Sequence, residues 1–424
     1  MATRAAAPTR FDRYNQLDGL TPTPELVVSI LRDADDGYLT RLDDLMTVMQ
    51  ERDSRLAGEI RARKNAVLGL DWHIMPAGEE ARDEEIAEFV REVLNGIEDW
   101  EEDLGDLLEG VFRPLAAAEL EWEIVDGRAT LAGLWRVPMK RFRWTIEGLE
   151  LLESPYKVHG EPVDSPELQD RLVLFSARSR SGFLPRMGIL RELVKPWILK
   201  DFAVKDWSVF LEKFGIPFAL GEYENPEQAE DLLEALSKFG ADGFGAVPSG
   251  VQVNLVEAAK GSVDAHKQLT DWVDQQYSIA IRGHSAASES TPGRLGGDDI
   301  AAAVRGDLIR SDARAIENVV NSQIIRRLVG FNFEGAAPPR YVIDTSEPVN
   351  RVQEAEIVGR LLEAGVALPA MEVYERTGYK PPEEGEDVVE PMQRGIPAVA
   401  STADREAAGI LGDVVRSWST GKRS

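Results

Sequence analysis

Cysteine is absent from the 424 residues, so neither a disulfide framework nor thiolate chemistry is open to this chain, and a reducing compartment is the expectation. Histidine is almost as scarce. His73, His159, His266 and His284 are the whole set, widely separated and without a metal-ligand spacing such as H-E-x-x-H, so they read as structural or solvated residues. No apolar run approaches the roughly 20 residues that span a bilayer, and the N-terminal stretch MATRAAAPTRFDR lacks the apolar core of a secretion signal. A soluble protein made inside the cell, without a membrane partner, is the reading. Neither a G-x-x-x-x-G-K-[ST] phosphate loop nor a G-x-S-x-G nucleophile elbow occurs. GADGFG, Gly240 to Gly245, has phosphate-loop composition but follows a helical stretch and reads as a turn.

Positive charge is the last shortage: 48 Lys and Arg stand against 74 Asp and Glu, a formal charge of −26. That balance argues against a protein that grips nucleic acid through counterion release. It suits one that lets a duplex slide past an acidic wall, and equally one whose acidity only keeps it in solution. The densest acidic run, Glu98, Asp99, Glu101, Glu102 and Asp103 around Trp100, cannot converge on one ion, because consecutive residues of a helix point in different directions. It reads as a solvated helical face or turn. PPEEGEDVVEP, Pro381 to Pro391, reads as a flexible acidic linker.

What the chain does have is length and order of elements. At 43% hydrophobic it can bury a large core and divides into two or more domains. Residues 25–69 are helical in pattern, GLDWHIMPAG reads as a strand, and Glu79 to Leu94 and Leu104 to Val111 read as helices. AAAELEWEIVDG, RATLAGLWRV, KRFRWTIEG, LELLES and DRLVLFSAR follow as strands of an antiparallel sheet, with Asp126-Gly127 the turn of a hairpin. Trp122, Trp135 and Trp144 on these strands are expected in the core or half-buried.

From 187 to 214 the apolar residues Leu190, Leu193, Val194, Trp197, Val204, Trp207, Leu211 and Phe214 recur at three- and four-residue steps, a helix about 42 Å long. Pro196 should kink it or mark its start, and Gly215 should stop it. Trp197, Phe202, Trp207 and Phe210 do not share one narrow face, which suits a helix contacted from several sides. A β-α-β-β module then precedes a second helix over 262–282. Residues 284–297, rich in Ser, Ala, Gly, Pro and Thr, read as a loop. Asp298 caps a third helix, which Gly330 is placed to end.

At this point the chain resembles a known family. FLPRMGILRELVKPWILKDFAVKDWSVFLEKFGIPFALGEY, Phe183 to Tyr223, is similar to the most recognisable stretch of the Mu-like bacteriophage portal proteins, and GLDWHIMPAG and ELEWEIVDGRATLAGLWRVPMKRFRW resemble their N-terminal half. The similarity covers roughly 25–380. It implies an α+β portal fold: an arm at 1–24, an α/β wing at 25–186, stem helices at 187–214 and 261–283, and a β-α-β-β clip at 215–260. A tunnel loop at 284–297, a long wing helix and return strand at 298–348, and a mainly helical crown at 349–380 complete it. The polar tail at 381–424 matches no part of the family.

The resemblance further implies a non-enzymatic role without cofactor or metal. Copies of the chain, twelve in the family, would form a ring at one vertex of the capsid in the virion, assembled in the host cytoplasm. Double-stranded DNA would pass through it without sequence recognition during packaging and ejection. The terminase large subunit, the major capsid protein and head-completion or neck proteins would be its partners. His284, Ser285, Ser288, Glu289, Ser290 and Arg294 would belong to the DNA-facing loop, and Glu222, Glu224, Glu227, Glu230, Asp231 and Lys238 to the docking surface of the clip. Lys195, Lys200, Lys205, Lys213 and Lys267 would face the channel; ion pairing of the first stem helix with Asp201, Asp206 and Glu212 is the other account of its basic residues. Two further functions stay open on residues alone, a metal-dependent nuclease or other phosphoryl-transfer enzyme and a smaller head-tail adaptor.

Overall fold

The computed structural model describes residues 12, 15–17, 19, 22–177, 182–214, 218–238, 243–248, 260–284, 297–346 and 351–382. The chain divides into two compact units, Met1–Thr345 and Ser346–Ser424.

The first unit opens with three helices, α1 (Pro24–Asp35), α2 (Thr40–Arg52) and α3 (Ser54–Leu68). Each start has a local cause. Thr23 accepts from the Leu26 N–H with Pro24 at the first helical position, and Asp53 accepts from the N–H groups of Arg55 and Leu56. Strand β1 (Trp72–Met75) leads to α4 (Ala81–Asn95), α5 (Trp100–Leu107) and the single turn α6 (Glu109–Phe112). Strands β2 (Ala116–Val125) and β3 (Arg128–Val137) form the hairpin that Asp126-Gly127 predicts. Both turn residues have positive φ, 50° and 78°, as a twist-matched two-residue turn requires.

The remaining strands do not extend this hairpin into one antiparallel sheet, as the sequence suggests. After β3 a 3-10 turn at Met139–Arg141 redirects the chain, and β4 (Phe142–Trp144), β5 (Leu149–Leu151) and β6 (Glu161–Pro162) make a second antiparallel sheet. Strand β7 (Leu172–Phe175) returns to the hairpin in the order β3-β2-β7. Arg141, buried in that turn, donates its Nε–H to the Leu152 carbonyl at 2.7 Å and fixes the change of sheet. Trp122 and Trp144 are half-buried as expected. Trp135 is not: it is 44% exposed on β3, with its indole N–H bonded to Glu121.

Helix α7 (Ile189–Phe214) starts seven residues before Pro196 and runs through it. Beyond it, β8 (Phe218–Tyr223), α8 (Gln228–Lys238) and β9 (Gly243–Pro248) form a β-α-β unit whose two strands pair in parallel, Phe218 opposite Gly243. β9 is the strand expected after the helix of this module and also takes in Gly243 to Gly245, where a turn was expected; the further strand expected from Val251 lies outside the described residues. Helix α9 (Lys260–Arg282) returns along α7.

The third long helix is continuous from 297 to 332 but irregular: α10 (Gly297–Val319), a π turn at Val320–Ile325 and α11 (Arg326–Asn332). It passes through Gly330 instead of ending there. Strand β10 (Arg340–Ile343) then pairs antiparallel with β1, Trp72 opposite Ile343. In the second unit, α12 (Arg351–Glu363) and α13 (Ala370–Thr377) pack on each other, and Gly378 at φ 75° closes α13. The acidic stretch expected as a linker is outside the described residues beyond Pro382.

One buried cluster unites the first unit. Leu42, Leu45, Met46 and Met49 of α2, Leu190 and Trp197 of α7, Tyr277 and Ile281 of α9, and Ile316, Val320 and Ile324 of the third helix all belong to it. Around the π turn, side-chain amides finish the sheets. Asn321 pairs both its groups with the backbone N–H and C=O of Tyr341 in β10 (2.8 and 2.9 Å), and Gln323 does the same with Leu174 in β7 (2.9 and 2.8 Å). Asn332 repeats the pattern on Ala129 at the start of β3, at 2.8 Å for both bonds. Edge backbone groups that would otherwise be open to pairing are thus occupied by one helix.

Candidate functional site at the junction of the long helices

The sequence expectations converge on α7, α9 and the stretch that links α9 to α10. In the structure these helices are tied to α3 by a polar seam set inside apolar packing. Asp53, which caps α3, also accepts from the Lys200 ammonium of α7 at 2.9 Å and from the Tyr277 hydroxyl of α9 at 2.9 Å. Lys200 reaches Asp274 of α9 at 2.6 Å and lies over the Tyr277 ring, 5.2 Å from its centroid. Burial, reinforced by the negative charge of Asp53, pushes the Tyr277 phenol far above its ordinary range, so it stays a hydrogen-bond donor.

One turn along α9, buried Ser278 accepts from Arg55 at 3.1 Å and lies 3.2 Å from Glu59, itself paired with Arg55 at 2.7 Å and with Arg282. At the end of α9, Arg63 of α3 forks onto Asp312 of α10 at 2.7 and 3.0 Å and donates to the Ile281 carbonyl at 2.7 Å. The seam therefore joins α3, α7, α9 and α10 in series. Each of these cations has an anion, and Asp53 and Glu59 accept from a hydroxyl as well, of Tyr277 and Ser278, the kind of pairing under which burial of charge is tolerated.

The end of α9 is sterically defined. Gly283 has φ 79°, and a Cβ there would sit 2.7 Å from Cγ1 of Val304. His284 follows, lining a cavity of about 400 Å³ with Ala62, Ala66, Ile281 and Leu308; its Nδ1 is buried without a hydrogen-bond partner among the described residues.

The candidate residues sort accordingly. The Lys200 ammonium is engaged between two carboxylates of its own chain, Asp53 and Asp274. Lys195, Lys205 and Lys267 are exposed; the Lys213 side chain lies outside the described residues. Of the loop residues, His284 is described, whereas Ser285, Ser288, Glu289, Ser290 and Arg294 lie outside the described residues. On the β-α-β unit, Glu222, Glu224, Glu227, Glu230 and Asp231 are exposed, and the Lys238 side chain lies outside the described residues.

In the acidic run, Glu98, Asp99, Glu101 and Glu102 are exposed, as a solvated face requires. Asp103 departs from it: half-buried, it accepts from the Leu134 N–H of β3 at 3.0 Å, and desolvation raises its carboxyl to about 6. Buried Glu109 goes the other way. Burial works against its ionisation, but Arg113 and Lys64 outweigh it and hold the carboxyl at about 2.

Sequence reasoning missed Asp53, Glu59, Arg63, Asp274 and Asp312. The signal was the placement of charge within otherwise apolar helix faces, such as Asp274 between Val273 and Tyr277, but partners 74 to 249 residues apart cannot be matched from spacing.

Comparison with known proteins follows the same elements. Residues 43–379 match the family model described as the portal protein of Mu bacteriophage. The Mu-like prophage FluMu protein gp29 of Haemophilus influenzae is 28% identical over 386 residues, spanning 87% of this chain and 72% of that protein. The portal protein of Escherichia phage Mu is 27% identical over 413 residues, spanning 92% and 77%. A chain in the solved virion of a native gene transfer agent particle aligns at a TM-score of 0.48 and 12% identity, over 85% of this chain and 95% of that one. The family match runs from within α2 to beyond α13 and takes in the whole polar seam, so the chain belongs to the portal protein family of Mu bacteriophage.

Proposed function

We propose that this chain is the repeating subunit of a ring, twelve copies in the family's manner, set at one vertex of a phage-like capsid and serving as the passage for double-stranded DNA during packaging and ejection. In this reading α7 and α9 are the stem, the β-α-β unit is the clip that docks the terminase large subunit and neck proteins, residues 25–186 are the wing that meets the capsid protein, and α12 and α13 are the crown. The ATP-driven work belongs to the docked motor. The ring itself is non-enzymatic, a place in the virion first occupied during assembly in the host cytoplasm.

The observation that carries the reading is the apolar surface left uncovered on the paired helices. Val204 and Leu211 of α7 are exposed and lie on one face two turns apart, and Trp272 and Ile279 of α9 repeat the arrangement. Leu199 and Val209 are exposed on other sides of α7. A helix with apolar residues open on more than one side suits a closed head-to-tail assembly, in which each subunit has a neighbour on either hand. Exposed Lys195, Lys205 and Lys267 are the channel-facing cations of this reading; Lys200 is not among them. His284 and the segment 285–296 are its DNA-facing loop.

Two variants test it. Leu211→Glu with Trp272→Glu is expected to leave a folded monomer and no rings in negative-stain images, and rings of normal size would remove the proposed interface. Deleting residues 286–295 is expected to leave rings intact while genome packaging or retention fails; normally filled particles would remove the loop's role.

A further inference from the structure

The tail of the second unit is not polar throughout. Between 402 and 419, Ala407, Ile410, Leu411, Val414, Val415 and Trp418 recur at three- and four-residue steps. On a helix of 3.6 residues per turn they fall within roughly 140° of one face, and Arg405, Glu406, Asp413 and Arg416 take the opposite one. Ser401 and Asp404 have the spacing of a capping box, and Gly421 is placed to stop the run. The spacing thus predicts an amphipathic helix about 27 Å long, in a stretch that lies outside the described residues. Alone in water, a helix of that length with its apolar face open is marginal.

The described part of the same unit lacks what such a helix supplies. Among the described residues of α12 and α13 only Val358 is buried, and it belongs to α12. The end of α12 sets out an apolar stripe through its backbone. Gly365, at φ 82°, donates its N–H to the Leu362 carbonyl, and the Val366 N–H reaches the Leu361 carbonyl, both at 3.0 Å. This double closure of a helix end makes residues 361 and 366 neighbours. Ile357 lies one turn before Leu361 on the same face. All three side chains are exposed.

We propose that residues 402–419 form a third helix of this unit and seat their apolar face on the Ile357, Leu361 and Val366 stripe of the same chain. The connection fits that choice of occupant. From Pro382 to Thr402 it has an extended reach of about 66 Å, more than enough to bring the segment alongside α12. Such a tether holds the segment at an effective concentration of roughly millimolar order, which a second copy free in solution does not match. Residues 381–391, rich in proline and carboxylates, offer no apolar helix face to compete for the stripe. The docked helix belongs to one chain, with or without a ring around it.

Hydrogen exchange of the full chain, read by mass spectrometry, tests the contact from both sides. Peptides from 405–418 should be protected about tenfold or more over an unstructured chain. Leu361→Asp with Val366→Asp, changes at side chains already open to water, should remove that protection while α7 and α9 keep theirs. Trp418→Glu should do the reverse and loosen the amides of 355–366. Cross-linking then shows whose helix is docked. Because the chain has no cysteine, Arg360→Cys and Ser417→Cys provide its only thiols, and a short bismaleimide added to an equal mixture of unlabelled and isotope-labelled chains should join them within one chain. Tail peptides that exchange at the unstructured rate in the unsubstituted chain, protection indifferent to the two aspartates, or adducts that join two copies would each overturn the proposal.

Discussion

Asp53 serves three helices at once: it caps α3, neutralises Lys200 of α7 and accepts the phenol of Tyr277 on α9. Removing one partner from such a group leaves the others as uncompensated buried charge, and Lys200→Met should cost about 3 kcal/mol of unfolding free energy, read as a lowered denaturant midpoint. A change within 0.5 kcal/mol, the usual scatter of surface substitutions, would show that the seam is not under tension. Asp103 gives a pH signature. Its folded carboxyl, near 6, is raised above the ordinary 3.8, so the folded state holds its proton more tightly than the unfolded chain and stability from this group falls as pH rises from about 4 through 6. Asp103→Asn keeps an acceptor for the Leu134 N–H and should stabilise the protein at pH 7.5 by about 1 kcal/mol after allowance for its partial exposure, with no gain at pH 4. At this scale the sequence shows which residues carry charge but not what they meet. Lys200 is legible as a cation on a basic helix, and only the fold shows that Asp53 and Asp274 have claimed it.

At the scale of elements, periodicity was a good guide wherever a segment answers to its own pattern. The α7 and α9 spans and the Asp126-Gly127 hairpin could be read directly, because helix spacing and a positive-φ turn are local properties. The division of the strands among three antiparallel sheets could not be read, nor could the two-residue β6, the π turn or the amides of Asn321, Gln323 and Asn332. Those depend on partners far along the chain. The amides give a direct check. Gln323→Ala should raise the hydrogen-exchange rate of the Leu174 amide, and Asn332→Ala that of Ala129, with a loss of about 1 to 2 kcal/mol of stability for each substitution. Unchanged protection would mean that those strand edges are held by something else.

For the whole molecule, the acidity that argues against a nucleic-acid clamp and the uncovered apolar faces of α7 and α9 are two sides of one requirement in the portal reading. Subunits must hold each other strongly and hold DNA weakly. The family was legible because its resemblance lies in packing patterns spread over most of the chain, which the match over 43–379 bears out. The candidate site was legible only in outline: the helices and the position of the connecting loop, not the seam that fixes them. The most direct measurement of the central claim is single-particle cryo-electron microscopy of the purified full chain. Closed rings with α7 and α9 lining an axial channel wide enough for a duplex are the expected result; particles that remain monomeric, alone and with the capsid protein, would contradict it.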